Sequence, residues 1–154
     1  MKLRILAIGT RAPQWVRDGF DEYRKRLPRE LSLELVELPA GKHHGDARKF
    51  KQDEGQAMLA KIRADDWVVA LDEAGNQRTT TALAERLAEW QMQGRDVVFA
   101  VGGSDGLGEA VCDRSDETIS LSALTYPHYM VRVILAEALY RAWSVRSGHP
   151  YHRG

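Results

Sequence analysis

Apolar and polar positions alternate along the chain in two periods. Leu3 to Ile8, Trp67 to Leu71 and Val97 to Val101 are near-continuous apolar runs, the mark of strands buried on both faces. Leu31, Leu33 and Leu35 alternate with Glu30, Ser32 and Glu34, which predicts a half-buried strand. Thr118 to Leu121 predicts a short fifth strand. Between them the period lengthens. Val16, Phe20, Tyr23 and Leu27 share one side of a helix over 13–27, with Pro13 in its first turn. Helices are also predicted over 46–63 (apolar side Ala47, Phe50, Met58, Ile62), over 81–93 (closed by Gly94), and over 104–113. The last helix runs from His128 to Ser147, between Pro127 and Gly148. Strands alternating with helices predict an α/β fold with a mostly parallel sheet and helices on both faces.

At 154 residues the chain fits one domain, read here as spanning 1–154. The lone cysteine, Cys112, excludes an internal disulfide and favours the cytoplasm; it reads as a small packing residue. No apolar run approaches the ~20 residues of a membrane helix, and the N-terminus lacks the pattern of a signal peptide. Formal net charge is zero, which argues against a purely electrostatic nucleic-acid binder. The charge is uneven, though. From His128 onward there are four arginines against one acid, Glu137, so a basic face remains available.

In open α/β sheets, ligands gather at the carboxyl ends of strands. Three such ends carry polar or glycine-rich loops: Leu71-Asp72-Glu73-Ala74-Gly75, Gly102-Gly103-Ser104-Asp105-Gly106, and Ser120-Leu121-Ser122-Ala123-Leu124-Thr125. A lining of this kind suits a nucleoside, although the glycine loop alone fits a tight turn equally well. Neither G-x-G-x-x-G nor G-x-x-x-x-G-K-[ST] is present, and no G-x-S-x-G elbow supports a hydrolase. His43 and His44 are adjacent in a glycine-flanked loop, 39–45, that reads as mobile. No cysteine completes a metal set there, so no metal is expected. The chain closes on His149-Pro150-Tyr151-His152-Arg153-Gly154, a concentration of functional groups at a position that is usually expendable. His152 is the first choice for a base, because histidine titrates near neutrality. Tyr151 offers a stacking platform or an anchor, and Arg153 a partner for a developing anion or a phosphate. Arg132 and Arg141, on the last helix, read as phosphate or subunit contacts. His128 reads as a helix-start residue.

The segments VGGSDGLG, LSALTYPH, VRVILAEALYRAWS and the terminal HPYHR resemble the SPOUT (trefoil-knotted) methyltransferases, and within them the RlmH family of ribosomal RNA large-subunit methyltransferases. Ile8-Gly9-Thr10, Trp15-Val16, Pro39-Ala40-Gly41-Lys42 and Leu71-Asp72 fit the same family, so the likeness spans essentially the whole chain. The resemblance implies a deep C-terminal trefoil knot and a pocket for S-adenosylmethionine. That pocket would be lined by Leu71, Gly102, Gly103, Leu121, Ser122, Ala123, Leu124, Thr125 and Tyr126. It also implies a homodimer in which one subunit's tail, with Tyr151, His152 and Arg153, completes the other's site. The implied substrate is N3 of a pseudouridine in 23S rRNA within the 70S ribosome. The competing class is a non-catalytic ribosome-associated or nucleotide-binding α/β module. Such a module would keep the glycine loop but have no use for a Tyr-His-Arg terminus.

Overall fold

The computed structural model describes residues 1–41 and 45–153. Lys42, His43 and His44, the centre of the loop expected to be mobile, lie outside the described residues, as does Gly154. Five strands form one sheet: β1 (Lys2–Ile8), β2 (Ser32–Leu38), β3 (Trp67–Gln77), β4 (Val97–Val101) and β5 (Glu117–Ser120), in the order β2-β1-β4-β3-β5. Every pairing is parallel. The helices are α1 (Gln14–Arg24), α2 (Ala47–Leu59), α3 (Thr80–Gln93), α4 (Glu109–Arg114) and α5 (His128–Ser147). Short 3-10 turns cover Arg29–Leu31 and Pro150–Arg153.

The continuous apolar strands split by period two between two cores. Leu3, Ile5, Val97 and Phe99 join Phe20 of α1, Leu87 and Trp90 of α3, and Leu135 and Leu139 of α5. Leu6, Ile8, Val98 and Ala100 join Met58 of α2 and Val111 of α4 on the opposite face. Helices therefore cover both sides, as a parallel sheet requires. Their ends follow local chemistry. Asp46 Oδ1 accepts the amides of Arg48 and Lys49 at 3.1 and 3.3 Å and starts α2. Thr79 Oγ1 accepts the amide of Ala82 at 3.0 Å and starts α3.

Several boundaries depart from the expectation: α1 stops at Arg24 rather than 27, and β2 runs on to Leu38. Helix α2 stops at Leu59 rather than 63. Strand β3 continues through the polar residues Asp72 to Gln77, shifting register against β5 between Leu71 and Asn76. Residues 104–108 do not join α4, because Gly106 takes φ +82° and its amide bonds to Gly103 O at 3.0 Å, closing a turn. Cys112, expected to pack inside, is exposed on α4.

At the amino end of β5, Glu117 draws three elements together. Its Oε1 accepts from Trp67 Nε1 at 2.7 Å, Trp90 Nε1 at 2.9 Å and Arg86 Nη2 at 2.9 Å. Burial pushes this carboxyl up, but the bonds from Arg86, Trp67 and Trp90 outweigh it and hold the group below the usual carboxylate range. A depressed carboxyl contributes stability above its unfolded pKa, and that contribution is lost as pH falls through the folded value. Glu117→Ala should thus cost about 3 kcal/mol at neutral pH, since it leaves two indole donors unpaired and Arg86 with Glu89 alone. Denaturant titrations should show the gap from wild type narrowing below about pH 4.

Candidate functional site

The carboxyl ends of β4 and β5 and the middle of β3 open into one cavity of about 610 Å³. Leu71, Asp72 and Glu73 face it from the stretch of β3 where the register shifts, the Gly102–Leu107 turn leaves β4, and the loop from Ser120 to Tyr126 leaves β5; Pro127, with His128 and Val131 of α5, closes the far wall. The β4 turn is tight for a local reason. A Cβ on Gly102 would lie 2.4 Å from the carbonyl carbon of Gly106 and 2.6 Å from its oxygen. Only glycine lets the chain fold back so closely. The β5 loop is held by its own hydroxyls: Ser120 Oγ donates to Ser122 O at 2.9 Å, and Ser122 Oγ accepts the Leu124 amide at 2.9 Å. Leu124 stands 69% exposed at the mouth, an apolar surface without a cover.

Asp72, Glu73 and Asp105 face the cavity against one ammonium, Lys51 of α2. Three carboxylates against one cation suit a positively charged ligand. A groove between α2 and α4 adjoins the cavity through Lys51 and Leu107 and is walled by helix surfaces.

The structure thus brings together Leu71, Gly102, Gly103, Leu121, Ser122, Leu124, Thr125 and Tyr126, whereas Ala123 is exposed and does not line the cavity. His128, read as a helix-start residue, lies in the wall. Lys51 carried no signal in the sequence: it sits mid-helix among other polar residues, and only the packing of α2 against the β4 turn brings it there.

The tail lies elsewhere. Tyr151 Oη donates to Glu137 Oε1 at 3.0 Å, its ring meets Tyr140 at 4.6 Å, and the Arg141 guanidinium covers it at 4.9 Å. Burial first, then hydrogen bonding with Tyr23 and Glu137, pushes this phenol far above its ordinary pKa. In this position Tyr151 keeps its proton and serves as a hydrogen-bond donor to Glu137. His152 Nδ1 lies 2.7 Å from His149 O. A carbonyl only accepts, so Nδ1 carries the hydrogen and Nε2 of the neutral ring keeps the free lone pair. Arg153 is exposed, with no partner among the described residues. From His128 in the cavity wall to Glu137 is nine helical residues, about 14 Å of axis. No tail residue lines the cavity of its own chain.

Arg132 departs from the phosphate-contact expectation. Its side chain is fully buried, with Nη1 2.7 Å from Glu37 Oε2 and Nη2 3.2 Å from Gly9 O. The reason is its register: it stands one turn before Leu135 and Ala136 on the inward face of α5. It ties α5 to the ends of β1 and β2. Arg132→Met should lower stability by about 3 kcal/mol, by stranding Glu37. Arg141 is occupied at Glu137 (2.8 Å) and beside Tyr151.

A family model described as a predicted SPOUT methyltransferase matches residues 1–152. The chain belongs to the SPOUT methyltransferase family. Membership makes it an S-adenosylmethionine-dependent methyltransferase, and the five-stranded α/β architecture is the one this family calls for. The cavity fits that donor: a glycine turn without side-chain bulk, the loop after β5, and carboxylates from β3 and the β4 turn to face a sulfonium. Among the described residues, no helix is long and apolar enough to cross a membrane.

Proposed function

We propose that this SPOUT methyltransferase acts as a single-domain homodimer of the RlmH type, methylating N3 of a pseudouridine in 23S rRNA on the assembled 70S ribosome. The observation that carries the reading is the separation of two halves of a site. The cavity has donor-binding features: carboxylates that suit the donor's positive charge, and a single histidine, His128, at its wall. The residues suited to handling the substrate's imide proton sit on the tail, too far along α5 to reach it. A two-fold partner whose α5 runs antiparallel would bring its own tail to that mouth. Helix α5 supports such pairing: Met130, Ile134 and Ala138 stay half-exposed at helical spacing along it. The C-terminal threading into a knot belongs to the same reading.

Bound in the cavity, S-adenosylmethionine supplies an electrophilic methyl group on a positively charged sulfur. The protein's work is placement and proton removal. The middle of β3 and the loops after β4 and β5 fix the donor, and the partner's tail fixes the base ring in line with it, the larger expected contribution. His152 Nε2 takes the N3 proton, Arg153 holds the imide oxygen charge or a flanking phosphate, and Tyr151 holds the tail. Arg141 stays beside Tyr151 and steadies it.

Incubation of the protein with radiolabelled S-adenosylmethionine and unmethylated 70S ribosomes tests the proposal. Label should appear in N3-methylpseudouridine, identified by mass spectrometry, and not in free rRNA. Label on another nucleoside, or equal use of naked RNA, overturns it. Binding of ATP or NAD in preference to the methyl donor would favour the non-catalytic nucleotide-binding module.

A further inference from the structure

Behind the cavity lies a buried carboxylate that the reaction does not use. Glu54, on the inward side of α2 one turn before Met58, is only 9% exposed. A carboxylate at that depth is costly unless it is bonded. Its Oε2 accepts the Gly41 amide at 3.0 Å. Both of its oxygens also lie 3.4 Å from the point where a side chain on Gly103 would begin. The carboxylate therefore touches the back of the turn whose front lines the cavity. Gly41 is pressed against the same helix, since a Cβ there would fall 2.8 Å from the Phe50 backbone. An apolar residue at position 54 would fill the space but would leave the Gly41 amide without an acceptor.

We infer that Glu54 is a positioning residue for the methyl donor: it clamps the segment after β2 to the back of the Gly102–Leu107 turn and so presets the donor's cradle. The inference rests on reading the cavity as the donor's site. A hydrogen bond to a charged acceptor holds the amide, and the same side chain limits how far the turn can sink toward α2. The turn then binds its ligand without first having to be ordered.

Three variants of the full-length chain separate this from a purely structural role. Glu54→Gln keeps an acceptor oxygen, Glu54→Leu keeps the volume without it, and Glu54→Ala keeps neither. Titration calorimetry and methyl-transfer kinetics should show Leu and Ala raising Kd and KM for S-adenosylmethionine about tenfold, the scale of one lost charged hydrogen bond. The saturated kcat should stay close to wild type, and Glu54→Gln should stay within about threefold on both constants. Amide exchange at Gly41 should accelerate in the Leu and Ala variants only. If Glu54→Ala does not fold, Glu54→Leu carries the comparison. A folded Glu54→Leu that binds the donor like wild type overturns the inference, and so does Glu54→Gln as impaired as Glu54→Leu. If wild type itself binds no S-adenosylmethionine, the cavity reading has failed, and Gly41 exchange alone then decides whether the clamp exists.

Discussion

Removing Tyr151 to Gly154 should lower methyl transfer to ribosomes by roughly 10²–10⁴-fold, the range typical of lost acid–base assistance. Donor affinity should change less than turnover, because the cavity lining comes from β3, β4, β5 and α5 of one chain and the partner's tail faces the substrate base. The fold should survive too. The tail rests on the outer surface of α1 and α5 through Tyr23, Tyr140 and Glu137, and no strand depends on it. Calorimetric titration with S-adenosylmethionine, circular dichroism and sedimentation of the truncated protein check these controls. Full activity after truncation would remove the tail from the mechanism. Within the tail, His152→Ala should account for most of the loss. A wild-type rate at every pH would exclude it as the base.

Gly102→Val should abolish measurable donor binding, with at least a ~100-fold rise in Kd, while unfolding remains cooperative. The clash is with backbone: Gly106 C at 2.4 Å, Gly106 O at 2.6 Å and Leu107 N at 2.7 Å. No rotamer change relieves it, so the turn must open, and the opened turn no longer shapes the cavity. Gly103→Val meets softer neighbours, Ile8 Cγ2 at 3.1 Å and the Glu54 carboxylate at 3.4 Å. Its effect on Kd should be smaller than that of Gly102→Val. Calorimetry on both variants reads the order directly, and unchanged affinity in Gly102→Val would place the donor elsewhere.

Strands β1 and β4 and helix α5 were legible because their signals are unambiguous. The strands are unbroken apolar runs, and α5 has twenty residues framed by Pro127 and by Gly148, which takes φ +75°. The extension of β3 was not legible. Asp72 to Gln77 are polar and mostly exposed, and they pair only because β5 offers an edge after a register shift. Topology and glycine content marked three segments, of which Gly102–Gly106 and Ser120–Thr125 are strand-end loops and Leu71–Gly75 is part of β3; all three reach one cavity. Ala123 was swept in by its neighbours, although the Ser122 hydroxyl bond to Leu124 turns that residue out. Arg132 was misjudged by charge alone, while its spacing from Leu135 and Ala136 already marked the buried face. Lys51 and Glu54 could not be singled out. Each is an ordinary polar residue on a polar helix, and its importance arises from contacts outside that helix, to the Gly102–Leu107 turn and, for Glu54, to Gly41.

The central claim is that each site is built from two chains. Mixing the tail-truncated protein with Gly102→Val, after dissociating and reassociating the subunits, measures it. Each mixed dimer contains one intact cavity facing one intact tail, although neither parent has such a pair. Random pairing should restore roughly a quarter of wild-type methyl transfer to ribosomes, since half the dimers are mixed and each holds one working site of two. A mixture no more active than its two inactive parents would mean that tail and cavity belong to the same chain, and would contradict the account.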